Sequence, residues 1–142
     1  MSWIWCPNAG NFLDGVAPLF YPGSRYVNWI CGDGYNWAPR KPGAPWKTIA
    51  DIFSYFYQWG ARMGKPLMIG EFGVLERRPG DKGAWFRQTD KQLRTLFPRI
   101  KGVIYFNADR RGYNWRVSTS PSSLAGFRAF ANDAYFRARV KI

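Results

Sequence analysis

Short apolar runs alternate along this chain with longer stretches of helical periodicity, a pattern that predicts an α/β fold built on parallel strands. The first run is Trp3-Ile-Trp-Cys6, stopped by Pro7-Asn8. The second is Tyr26-Val-Asn-Trp-Ile-Cys31, running on into Gly32-Asp-Gly-Tyr-Asn-Trp37. Leu67 to Phe72 makes the third, and Gly102-Val-Ile-Tyr-Phe-Asn107 the fourth, ending at Ala108-Asp109. Ile49, Ile52, Phe53, Phe56 and Trp59 recur at helical spacing and predict a helix over residues 48–63, with Gly64 as its stop and Pro66 barring continuation. A second helix is expected over 81–97, with Asp81 as N-cap, Trp85, Thr89, Leu93 and Leu96 facing inward, and Pro98 at its end. A third is expected over 121–137, capped by Ser120-Pro121, with Leu124, Phe127, Phe130 and Ala134 inward. Asn8 to Ser24 reads as a loop holding about one helical turn.

The third run carries the most informative residue. Lys65-Pro-Leu-Met-Ile-Gly-Glu-Phe-Gly73 reads as a buried parallel strand that delivers one carboxylate, Glu71, to its C-terminal end. In a (β/α)8 barrel that end is the active-site face. Strict alternation would place Leu67, Ile69 and Glu71 on one face, the aliphatics filling the barrel and the carboxylate at its rim. Gly70 and Gly73 beside it suit a crowded backbone. The competing reading is a surface glutamate after a strand.

Composition narrows the chemistry. The 142 residues are 46% hydrophobic and 19% aromatic, enough for one domain with a real core and rich in rings of the kind that stack on sugars. Histidine is absent, which removes Ser-His, Cys-His and His-metal mechanisms, and no cofactor or metal site is expected. Cys6 and Cys31 fall on neighbouring strands; a disulfide and two buried free thiols both fit, the thiols being the more common outcome. The net charge of +12 calls for a nucleic-acid hypothesis, yet the densest groups, Arg77-Arg78, Arg110-Arg111 and Arg137-Ala-Arg-Val-Lys141, have no nucleic-acid motif around them and read as solvated surface. No segment approaches the roughly 20 apolar residues of a membrane span. The N-terminus shows no basic n-region followed by an apolar h-region, so no signal peptide is expected on this chain.

A whole (β/α)8 barrel takes about 250 residues, with a lower limit near 200. The expected architecture is therefore a partial TIM barrel of parallel strands. Residues 1–142 would form a single C-terminal half-barrel, strands five to eight with their helices. The residues along those strands carry a family likeness. Trp3-Ile-Trp-Cys-Pro-Asn8, Tyr21-Pro-Gly23, the stretch Tyr26 to Trp37, Lys65 to Gly73, Val103-Ile-Tyr-Phe-Asn107 and Trp115-Arg-Val117 occur in order over nearly the whole chain. Together they resemble the C-terminal half of a glycoside hydrolase family 26-type barrel, a group that includes β-mannanases.

The resemblance implies roles. Glu71 matches the nucleophile of a retaining enzyme, and Tyr35 the tyrosine that hydrogen-bonds it; a phenol donor favours the charged carboxylate. Tyr105 matches an aromatic beneath the sugar, and Trp37 and Trp115 are further substrate-binding candidates. Ordinary packing is the alternative for Tyr35 and Tyr105. Asn8 and Asn36 would line the cleft or end strands, and Asp33 and Asp109 are polar strand-end residues without an assigned role. Retaining hydrolysis needs a second carboxyl about 5–5.5 Å from the first, and the family's acid/base lies on a strand absent here. Glu76 is a poor substitute beside Arg77 and Arg78, which would depress its pKa.

The expected function is thus a catalytic-domain fragment of a retaining β-mannanase- or β-glucanase-like glycoside hydrolase, inactive or incomplete alone. Its partners would be a β-linked polysaccharide and either the missing N-terminal half-barrel or a second copy that covers exposed Leu67, Ile69 and Val103. The parent protein would be secreted. A non-catalytic carbohydrate-binding module, with Tyr35, Trp37, Tyr105, Tyr113 and Trp115 as its platform, is the alternative. A basic nucleic-acid-binding protein is the third class.

Overall fold

In the computed structural model, which describes residues 1–38 and 40–137, four parallel strands pair in chain order: β1 (Ile4–Trp5), β2 (Trp29–Asn36), β3 (Leu67–Val74) and β4 (Ile100–Tyr105). The chain beyond residue 137, including the basic Arg139 and Lys141, lies outside the described residues. Two short helices, α1 (Gly10–Leu13) and α2 (Val16–Leu19), connect β1 to β2. The longer helices α3 (Ile49–Gly60) and α4 (Asp81–Leu96) make the next two crossovers, and α5 (Pro121–Ala131) and α6 (Ala134–Arg137) follow β4. A small antiparallel hairpin, β5 (Asp109–Arg110) and β6 (Tyr113–Asn114), lies between β4 and α5.

Local chemistry sets the helix ends. Thr48 and Asp51 form a reciprocal capping box at the start of α3. Gly64, at φ +67°, turns the chain after it. The N-cap of α4 is Gly80 rather than Asp81. Asp81 instead sits in the first turn, where its charge suits the helix dipole and pairs with Arg77 and Arg78. Ser120 caps α5 by accepting the Ser123 N–H, and Pro121 follows at N1. The third expected helix does not run unbroken to 137; it stops at Ala131 and resumes at Ala134.

The helices cover one face of the sheet. A Cβ on Gly32 would meet Phe56, and one on Gly34 would meet Ile52, Phe53 and Ala9. Phe72, the register partner of Gly34, packs on Trp85 of α4 and Phe130 of α5. The core lies in this layer, among Ile30, Phe53, Phe56, Leu67, Ile69, Phe72, Trp85 and Phe86. Helices α4 and α5 approach backbone to backbone, with an ideal Cβ on Gly126 only 2.7 Å from the Gly83 Cα. Along α4 the buried stripe includes Lys82 and Phe86, whereas Leu96, expected inward, is 50% exposed.

The strict alternation expected along β3 is broken. Gly32 pairs with Ile69 and Asp33 with Glu71, so Gly70 is an extra residue against β2. On the other side Ile69 pairs with Val103 and Phe72 with Tyr105, leaving Gly70 and Glu71 opposite Ile104 alone. This is a β-bulge. Leu67 contacts the Cβ position of Gly60 on α3, and Ile69, two residues on, is fully buried in the same layer. Leu67 and Ile69 therefore face the helices, not a barrel interior, and the bulge turns Glu71 to the opposite face. The expected exposed row of Leu67, Ile69 and Val103 is accordingly absent: the first two are buried and Val103 packs against the core. Ile104, 53% exposed, occupies the uncovered side instead.

Cys6 and Cys31 are joined in a disulfide. The register carries them together, since Trp5 lies opposite Ile30 and the next residue of each strand is a cysteine. Of the two readings left open by the sequence, the disulfide is the one present, not the more common pair of free thiols.

Candidate functional site

The face away from the helices gathers polar and aromatic groups at the C-terminal ends of β2, β3 and β4. Ligands of parallel α/β sheets bind at that end. Asp33 and Tyr35 alternate with the glycines of β2, and both point to this face. The Tyr35 hydroxyl donates a hydrogen bond to Oε2 of Glu71 across the β2–β3 pair. Burial, reinforced by the Glu71 hydrogen bond and charge, pushes the Tyr35 phenol well above the usual tyrosine range. Tyr35 thus stays protonated and remains a donor.

Asp33 stands beside Glu71 in register. Its carboxyl is raised above the usual carboxylate range, first by burial and then by the Glu71 charge, with the Glu71 backbone N–H partly offsetting both. A Cβ on Gly70 would lie 2.3 Å from the Cys31 Sγ, 2.8 Å from the Cys6 Sγ and 2.9 Å from Asp33 Oδ1. The bulge residue, the disulfide and Asp33 therefore form one tightly packed base under Glu71, and only glycine fits at position 70.

Next to the Tyr35–Glu71 pair is a pocket of about 470 Å³. Tyr35, Trp37, Phe106, Tyr113 and Trp115 line it, with Lys41, Arg110 and Arg111. The rings stand edge to face: Trp37 lies at 89° to Trp115, with centroids 4.9 Å apart, and at 88° to Tyr113, 5.3 Å away. Trp115 is buried and held from behind. Its carbonyl accepts from Lys82 Nζ at 3.1 Å and from the Tyr105 hydroxyl at 2.7 Å. Lys82 also donates to the Arg116 carbonyl at 2.7 Å. Burial lowers the Lys82 ammonium to about 8, against a smaller opposing pull from Glu76.

Glu71, Tyr35, Trp37 and Trp115 are brought together around the Tyr35 ring. Tyr105 is not. It packs among Phe72, Phe86 and Phe127 on the helix side of the sheet, so it cannot lie beneath a ligand on the Glu71 face. Phe106, one residue on, points to the pocket and touches Tyr35 with centroids 5.8 Å apart. One step along a strand flips the face, so the alternation from Gly102 could have identified Phe106.

The β5–β6 hairpin that supplies Arg110, Arg111 and Tyr113 was missed entirely, because only Gly112 marks the turn and Arg111 is not a residue such turns favour. Asn36 is buried on the helix side and donates to the Lys47 carbonyl at 2.8 Å, and Asn8 Oδ1 accepts the Gly10 N–H. Neither lines the pocket. Glu76 accepts from Ser120 Oγ at 2.7 Å, which ties it to the start of α5. Asp109 is exposed on the hairpin, opposite Asn114.

The chain is similar to Endoglucanase H of Acetivibrio thermocellus. The two are 32% identical over 130 residues, 90% of this chain and 14% of that protein. The chain thus spans about a seventh of the relative's length. No protein-family model matches the chain. The similarity relates the chain to a glycosidase and does not single out family 26. Among the described residues, no helix is long and apolar enough to cross a membrane.

Proposed function

We propose that this chain carries the nucleophile side of a retaining β-glycosidase site of family 26 type, acting on a β-linked glucan or mannan. The observation that carries the reading is the Tyr35–Glu71 hydrogen bond at the C-terminal ends of adjacent parallel strands, beside an aromatic pocket. Glu71 is the nucleophile. Its carboxylate attacks the anomeric carbon as the glycosidic oxygen leaves, giving a glycosyl-enzyme that water then hydrolyses. Tyr35 holds the attacking carboxylate in place and favours its charged form. Trp37 and Phe106 offer apolar faces to the sugar, and the buried Trp115 supports Trp37 from behind. Tyr105 lies behind the pocket, where its hydroxyl donates to the Trp115 carbonyl and supports the fold.

The leaving oxygen must be protonated by a second carboxyl. Asp33 lies under Glu71 rather than across a cleft from it, and Glu76 is engaged by Ser120. The reading therefore assigns the acid/base to a complementary half-barrel, supplied by more of the same polypeptide or by a second chain, and assigns little turnover to these residues alone. The one-sided helix cover and sequential strand order suit a sector of a barrel.

A 2-fluoro-cellobioside with a dinitrophenolate leaving group tests this, because its departure needs no acid. The chain is treated with the probe, alone and with an N-terminal half-barrel added in trans, and the adduct is mapped by mass spectrometry. A glycosyl adduct on Glu71 that disappears in Glu71→Gln is the expected result. An adduct on Glu76 or Asp33, or none under either condition, overturns the assignment.

A second reading, a binding module that does not cleave, is favoured by one feature: among the described residues, no carboxylate lines the pocket itself. Tight binding of cellohexaose without any adduct on Glu71 would select it.

A further inference from the structure

We infer that the aromatic pocket selects an anionic sugar, a hexose bearing a carboxylate or a sulfate, over its neutral counterpart. This rests on the reading of the cleft as a glycan site and names the substrate class. Lys41, Arg110 and Arg111 line the same pocket as the rings, and all are exposed. Among the described residues the ion pairs are Arg77 and Arg78 with Asp81, and Arg94 with Asp90 and Asp133. None of them neutralises the three pocket cations. A neutral sugar draws on the N–H donors of such a rim but gains nothing from its net positive charge. A carboxylate or sulfate accepts charge-assisted hydrogen bonds, and the guanidinium fork matches its geometry.

A chain with 21 basic and 9 acidic residues puts cations beside many surface features. Backbone conformation separates this case from that background. Arg110 and Tyr113 are paired, so Arg111 and Gly112 form a two-residue turn, with φ at +54° and +77°. Such turns favour asparagine or glycine at the first central position. Among the described residues, Arg111 is the non-glycine residue with positive φ, and a side chain kept in that region despite the strain points to a functional constraint. The hairpin places it at the pocket wall, next to Tyr113.

Nucleic acid also combines rings with cations, but it needs a groove along which successive bases stack and phosphates are tracked. Here the rings close a corner: Trp37 stands nearly perpendicular to both Trp115 and Tyr113. A corner of that kind suits one or two sugar rings with a charged substituent turned to the rim.

Titration calorimetry on the chain tests the inference with hexamers that share one β-1,4 backbone. They are cellohexaose, its C6-oxidised glucuronate hexamer and a 6-sulfated hexamer, with a single-stranded oligothymidylate as a fourth ligand. The oxidised or the sulfated hexamer should bind at least about tenfold more tightly than cellohexaose at low salt, and raising the salt should shrink the ratio. Preference between these two identifies the charged group. The double variant Arg110→Ser, Arg111→Asn should shrink the ratio severalfold, the charged hexamers losing far more affinity than cellohexaose, with Lys41 left as the remaining pocket cation. Asparagine suits the turn, so loss of folding does not obscure the result.

Equal affinities for neutral and charged hexamers overturn the inference and leave the glycan reading standing. So does a preference that the double variant leaves undiminished. Binding of none of the hexamers overturns both readings. Oligothymidylate binding tighter than every hexamer marks a nucleic-acid surface and overturns the inference as well.

Discussion

Tyr35 and Glu71 meet across β2 and β3 because the strand register slips at Gly70. In an unbroken β3, Glu71 would share a face with Leu67 and Ile69 and point into the helix layer. The bulge moves it to the Tyr35 side. A glycine at the slip, packed against a disulfide and Asp33, is what delivers the carboxylate to its donor.

Replacing Tyr35 by phenylalanine should slow glycosylation of Glu71 while leaving the fold intact. A hydrogen bond to a charged group contributes about 1.5–3 kcal/mol, which is roughly 10- to 100-fold in rate if it acts at the transition state. The check is the rate of adduct formation with the activated fluoro-sugar. An unchanged rate would mean that the contact does not serve the chemistry.

Tyr105 and Phe106 should separate cleanly. Tyr105→Phe removes a hydroxyl whose partner is the Trp115 carbonyl, so it should cost about 1 kcal/mol of stability and leave glycan affinity nearly unchanged. Phe106→Ala should leave most of the stability but weaken binding, because its ring lines the pocket. Denaturant melts and calorimetric titrations of both variants decide the matter. The opposite assignment of effects would restore Tyr105 as the platform.

Gly70→Ala should be costly. Its Cβ would come within 2.3 Å of the Cys31 Sγ. Overpacking of this kind costs about 1–3 kcal/mol, and the backbone shift should also pull Glu71 away from Tyr35. The variant is therefore expected to lose labelling on Glu71 along with stability. A stable variant with full labelling would show that the base of the site yields more easily than its packing implies.

Lys82 makes stability depend on pH. Its folded pKa of about 8 lies below the ordinary 10.5, so between those values the unfolded chain binds more protons. Stability should therefore rise with pH across that window, by at most about 1.4 kcal/mol per pH unit from this group. Below about 8 both states carry the proton and the slope from Lys82 vanishes. Subtracting the pH profile of Lys82→Met from that of the unaltered chain isolates the effect. Parallel profiles would mean that Lys82 keeps an ordinary pKa when folded.

Periodicity and capping chemistry are local, and they were legible. The sites of α3, α4 and the start of α5, the strand series and the C-terminal position of Glu71 all follow from residues within a few places of one another, such as the apolar spacing from Ile49 to Trp59 or Ser120 with Pro121, although the N-cap of α4 is Gly80 and not Asp81. The facing of side chains was not legible wherever it depended on pairing. The Gly70 bulge exists only relative to β2 and β4, so the apolar alternation through Leu67, Ile69 and Glu71 pointed two residues the wrong way. Tyr105 and Phe106 are adjacent rings in an apolar run, and only the packing of helices against one face of the sheet distinguished core from pocket. The Cys6–Cys31 bond likewise needed the β1–β2 register. The pocket draws on residues from 35 to 115, joined by no periodicity. A chain pattern records which residues prefer burial and which backbone shapes they allow; which groups meet is decided by strand register and layer packing, set by contacts distant in sequence.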